Sequence, residues 1–162
     1  MWQDEGFLKD AIDVPASMQQ LTELMVYVRG QYENLTEAEL LWQSAPDKWS
    51  RKQILGHLID SGINNLKRFS EAQFMEEPFV IIPYRQNQLV AVNHYQDLPV
   101  QHLLGLWHSV NQQIIFLVQA IPAEILNRQV VPQYDQTGTK SLAWLICDYV
   151  AHMKHHILQM KF

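Results

Sequence analysis

Two histidines, His152 and His156, stand four residues apart in the stretch YVAHMKHHILQMKF at 149–162. On a helix that spacing stacks two imidazoles on one face, with β-carbons about 5–6 Å apart. A single metal ion can reach both. Two histidines do not complete a site, because a catalytic zinc ordinarily takes three protein ligands and keeps one position open. The third ligand must come from elsewhere, and the best candidate is His57, in the helical stretch WSRKQILGHLIDS. Spacing alone does not single it out. Three neutral imidazoles would leave the ion at +2 with open positions, able to lower the pKa of a bound water or thiol. His155 sits about 100° around the helix from His156 and is expected to point outward. Asp148 and Tyr149 are candidates to fix the orientation of a ligand ring from behind.

Competing chemistries find little support. No Ser–His–Asp or Cys–His arrangement stands out, and the six glycines are scattered rather than gathered into a phosphate loop. The one cysteine, Cys147, lies in the apolar run LAWLICDYV, which suits a buried structural thiol. A chain with a lone cysteine forms no internal disulfide, in keeping with a reducing cytoplasm. The net charge is −5, with 12 Lys+Arg against 17 Asp+Glu. A nucleic-acid binder would carry a basic face. The nearest approach is Lys48, Arg51 and Lys52, read as solvated charge around a helix start. No apolar run approaches the ~18 residues of a membrane span. The N-terminal MWQDEGFLKD has early acids and no apolar signal core. A cytoplasmic protein is expected, with no membrane or nucleic-acid partner.

The elements that must position the histidines are helical. Residues 1–14 read as a lead-in. Ser17 and Gln20 have capping-box spacing, and Leu21, Leu24, Met25 and Val28 follow at helical period, which predicts a helix over about 17–33. Thr36 and Glu39 repeat the box for a short helix that must stop before Pro46. The strongest start is at 49–54, with Ser50 as cap, Gln53 as its reciprocal partner, and Trp49 and Ile54 as a hydrophobic staple. That helix should run to about Glu76. Its apolar stripe is Leu55, Leu58, Ile59, Gly62, Leu66 and Phe69. Beside the stripe, His57, Ser61, Asn64, Asn65 and Arg68 form a polar one suited to a pocket wall.

Residues 77–96, with Pro78 and Pro83, read as a long connection holding at most a helical turn. Phe79, Ile82, Tyr84 and Tyr95 could cover a site from it. Asp97 is expected to cap a third long helix, periodic to about Ala120 and ended by Pro122. His102 and His108 on it share no metal-binding spacing. A second connection covers 121–138; Gln129–Pro132 could be extended, but a lone short segment makes no stable sheet. The last helix starts near Thr139 or Ser141, and its inward stripe of Leu142, Leu145 and Tyr149 continues into His152 and His156. Four long amphipathic helices in 162 residues predict one all-α domain over 1–162, a four-helix bundle with long connections.

The stretches KWSRKQILGHLIDS at 48–61 and SLAWLICDYVAHMKHHILQM at 141–160 resemble the DinB-like superfamily, which includes YfiT-type metal-dependent enzymes. The shared pattern is Trp49–Ser50 at a helix start, His57 on that helix, and His152, His156 and Gln159 on the last one. The resemblance implies a DinB/YfiT-like bundle with a three-histidine site for a divalent ion, and often a homodimer. It implies His57, His152 and His156 as metal ligands. Family activities include thiol-dependent transferases and a mycothiol-dependent isomerase. Many relatives carry an acid five residues after the helix-two histidine, where this chain has Gly62.

The expected function is therefore a metal-dependent enzyme on a small-molecule substrate. A transferase using a low-molecular-weight thiol comes first and a hydrolase second. The rival is a non-catalytic bundle that binds a small ligand or partner. Imidazole ligands suit several metals, with zinc or nickel ahead of iron.

Overall fold

The computed structural model describes residues 7–8, 10–133, 138–160 and 162; part of the lead-in and part of the second connection lie outside them. Four long helices dominate: α1 (Val14–Tyr32), α3 (Arg51–Glu71), α5 (Val100–Gln119) and α6 (Leu142–Gln159). Two short ones, α2 (Glu37–Leu40) and α4 (Gln86–Val92), lie in the connections.

The capping chemistry explains most boundaries. Ser50 accepts from the Gln53 amide at 3.1 Å while the Gln53 side chain accepts from the Ser50 amide at 2.9 Å, closing the box expected at the start of α3. Thr36 and Glu39 close the same box on α2. α1 starts three residues earlier than the Ser17 pattern predicts. Asp13 caps it, accepting from Ala16 N at 2.9 Å, and Pro15 supplies a first-turn φ. α3 ends at Glu71 rather than near Glu76. Asp97 caps nothing: it belongs to a 3-10 turn (Tyr95–Asp97), and α5 opens after Pro99.

One continuous core joins the long helices, built on Leu21, Leu55, Phe69, Leu103, Trp107, Ile114 and Leu145 among others. Their packing is uneven. α3 packs most extensively on α5, and α1 on α6, whereas α1–α5 and α3–α6 meet along thinner seams.

The extended segment Gln129–Pro132 finds partners the sequence did not reveal. As β2 it pairs in parallel with β1 (Phe79–Ile81), Phe79 opposite Val130, and antiparallel with β3 (Lys140–Ser141). Each strand is too short to signal itself, yet together they tie the two long connections to each other just before α6.

The first connection is also anchored to α3. Tyr95 Oη donates to Asp60 Oδ1 at 2.6 Å, and its ring lies where a Cβ on Gly56 would come within 2.1 Å. Ser50 Oγ donates to Gln96 Oε1 at 2.5 Å. Lys52 is no solvated charge: it is 3% exposed, and its Nζ reaches Glu37 Oε1 at 2.7 Å and Gln96 O at 3.3 Å.

Candidate metal centre

The fold brings His57, His152 and His156 together across the α3–α6 seam. One ligand-capable atom from each lies within 4.8 Å of the others. His57 is fully buried, His152 is 5% exposed, and His156 is half-buried. His57 Nε2 faces His152 Nε2 at 3.3 Å. Ring centroids are 4.6 Å apart for His57–His156 and 4.5 Å for His152–His156.

Burial, and then the neighbouring rings, keep the cluster neutral. Desolvation lowers His57 to about 3 and His156 to about 4. His152 is held well below its ordinary range by burial first and by His156 next. Neutral rings keep the lone pairs that metal binding needs.

The donor set fits a divalent ion. Two nitrogens at 2.0–2.1 Å from one tetrahedral ion stand about 3.3–3.4 Å apart. The His57–His152 separation is 3.3 Å.

The rings are held in different ways. Trp49 packs against His57 at 4.9 Å, while His57 Nδ1 has no hydrogen-bond partner among the described residues. His152 Nδ1 lies 3.4 Å from Ser61 Oγ, a hydroxyl that also serves Tyr84. His156 Nδ1 lies 3.0 Å from Gln159 Oε1, and Gln159 Nε2 lies 2.9 Å from His155 Nε2. His155 is exposed, as its phase predicts, but it is not apart from the site. Its ring is 5.1 Å from Phe7 and 5.4 Å from His156.

Asp148 holds the N-terminal segment, and Tyr149 bonds across to α5. Asp148 Oδ1 accepts from the backbone amides of Phe7 and Leu8, the latter at 2.7 Å. Those bonds lay Phe7 over the cluster, 4.8 Å from His152 and 6.4 Å from His156. Tyr149 Oη donates to Asn111 Oδ1 at 2.6 Å. The same hydroxyl helps close the Gly62 position: a Cβ there would lie 2.8 Å from Val110 Cγ1 and 3.3 Å from Tyr149 Oη. A side chain at Gly62 would have to displace Val110, and among the described residues no carboxylate joins the three histidines.

Of the polar stripe on α3, Ser61, Asn65 and Arg68 are buried. Arg68 donates to Ile82 O at 2.7 Å and sits 5.5 Å from the Tyr84 ring, so the connection does cover the site here. On the other side a cleft of about 470 Å³ opens beside His156, lined by Trp42, Trp49, Arg51, Asn87 and Gln159.

A family model described as the DinB superfamily matches residues 20–160. The chain belongs to the DinB superfamily. Among its relatives is a protein of Oceanobacillus iheyensis named "Putative metal-dependent hydrolase", 26% identical over 128 residues, 79% of this chain and 72% of that one. A relative of the same description from Halalkalibacterium halodurans is 24% identical over 92% of this chain and 85% of its own. Among solved structures, YfiT from Bacillus subtilis is described as a probable metal-dependent hydrolase with an unusual four-helix bundle topology. It superposes with a TM-score of 0.82 at 21% identity, over 94% of this chain and 86% of that one. A mycothiol-dependent maleylpyruvate isomerase superposes with a TM-score of 0.66 at 15% identity, over 90% of this chain but 60% of its own. At these identities the two structures establish the fold alone, a four-helix bundle of the YfiT topology.

Proposed function

We propose that this DinB-superfamily protein is a metal-dependent enzyme in which His57, His152 and His156 hold one divalent ion, zinc or nickel before iron. The observation that carries the reading is the pair of facing Nε2 atoms, 3.3 Å apart, in a cluster of neutral rings. When bound, the ion supplies a positive centre that lowers the pKa of a thiol or water beside it.

The protein's own contribution is a shaped surround. Trp49 packs on His57, Phe7 roofs His152, and the cleft beside His156 offers room for a small organic substrate. Thiol-dependent transfer is favoured over hydrolysis because the cluster holds three histidines and, among the described residues, no carboxylate. A thiol, with an ordinary pKa near 8.5, ionises beside a cation without a carboxylate to take its proton. Water, with a pKa near 15.7, has further to fall. The mycothiol dependence of the isomerase neighbour supports the same choice.

Elemental analysis of protein purified without an affinity tag tests the metal. Turnover of thiol–electrophile pairs, set against hydrolysis of simple esters and amides, tests the reaction. Protein that acquires no divalent ion after dialysis against zinc and nickel would sink the reading and favour a non-catalytic binding bundle. Self-association belongs to the same reading, and sedimentation showing only monomer at micromolar concentration would remove it.

A further inference from the structure

A neutral imidazole offers Nε2 to a metal only in the tautomer that carries its proton on Nδ1. The three rings are held in different ways. His57 is fully buried and wedged by Trp49, and His152 is nearly so, beside Ser61. His156 is half-buried at the mouth of the cleft and has more room to turn. What meets its Nδ1 is Gln159 Oε1, at 3.0 Å. An amide oxygen only accepts, so this contact requires the proton on Nδ1.

The amide could face the other way. Its nitrogen, which only donates, would then demand a lone pair on His156 Nδ1, move the proton to Nε2, and take that atom away from a metal. The far end of the amide meets a second imidazole, with Gln159 Nε2 2.9 Å from His155 Nε2. A His155 ring that carries its own proton on Nδ1 accepts there, which holds the amide nitrogen outward and the oxygen inward.

We propose that His155 and Gln159 form a tautomer lock: His155, with its own proton on Nδ1, orients the Gln159 amide, Gln159 holds the Nδ1 proton of His156, and His156 thereby presents Nε2 to the ion. Both are positioning residues that act on the ion through His156. The inference rests on the metal reading given above. Partners behind metal-bound histidines are worth ~10–100-fold in affinity.

The test uses the full chain, metal-free and titrated with zinc against a competing chelator. Ring ¹⁵N shifts of His156 report its tautomer, and the titration reports affinity. The variants are Gln159→Leu, which removes acceptor and donor, Gln159→Glu, which restores an acceptor, and His155→Phe, which removes the orienting group. We expect wild type to hold the Nδ1–H tautomer. Gln159→Leu should mix tautomers and bind zinc ~10–100-fold more weakly. His155→Phe should do the same to a smaller degree, and Gln159→Glu should recover both readouts. Residues 155 and 159 are exposed, so melting temperatures should stay near wild type. Gln159→Leu that keeps a pure Nδ1–H tautomer and wild-type affinity overturns the lock. Wild type that binds no zinc defeats the metal reading instead, and the ¹⁵N shifts then decide the lock on their own.

Discussion

His57 shows how little of a site can be legible in the residue that completes it. The four-residue spacing of His152 and His156 declares a shared helix face. His57 lies 95 positions before His152. Spacing did not single it out; its place on a polar helix stripe made it a candidate, and the family resemblance selected it. Phe7 gave no signal at all, because its contact with Asp148 spans 141 positions and follows no period. Replacing His57, His152 or His156 with Ala should each remove most divalent-metal binding, beyond the ~10–100-fold expected behind the ligands. Metal content and a chelator competition check this, with melting run alongside. The fold should persist, since the core is leucine, isoleucine and aromatic rather than metal.

The same residues set a pH dependence for the metal-free protein. Unfolded histidines take up protons near pH 6.5, whereas folded His57 and His156 wait until about 3 and about 4. The unfolded chain then binds more protons, so stability falls as pH drops from about 6.5 towards 4. Asp60 acts in the opposite sense. Burial raises its carboxyl to about 6, so the fold keeps a proton that an unfolded aspartate releases, and this stability is lost as pH rises through about 6. Three histidines outweigh one aspartate. Thermal melts of metal-free protein should show a lower midpoint at pH 5 than at pH 7, and an unchanged or higher midpoint would contradict the buried, neutral cluster.

At the scale of elements, starts were easier to read than stops or pairings. Ser50 and Thr36 announced α3 and α2 because a capping box is local. Ser17 misled because Asp13, followed by Pro15, caps better and comes first. The sheet was invisible because its strands have two to four residues, and β1 and β2 lie some fifty positions apart. Close approach between elements yields two predictions. Gly56→Ala places a Cβ within 2.1 Å of the Tyr95 ring. Tyr95 must shift and Asp60 loses one of its two donors, so despite the better helix propensity of Ala we expect a loss of ~1–3 kcal/mol in denaturant unfolding. Tyr95→Phe leaves Asp60 Oδ1 with Asn93 Nδ2 at 3.2 Å, and Oδ2 already has no partner among the described residues. It should cost ~1–3 kcal/mol. A Gly56→Ala variant as stable as wild type would show that the connection is not clamped to α3 as described.

At the scale of the whole molecule, the bundle consists of two helix pairs, α3 with α5 and α1 with α6, and the histidine cluster straddles a thin seam between them. An ion seated there would act as a latch between two well-packed halves. Metal at a hundredfold excess over its dissociation constant adds ~2.7 kcal/mol. For a chain of this size that should raise the melting midpoint by roughly 5–10 °C. The latch also predicts where the gain appears. Hydrogen exchange on loading should slow most along the facing turns of α3 and α6, around His57 and His152, and least on the outer turns of α5. In such a molecule the ion that serves the chemistry would also decide how freely its two halves breathe.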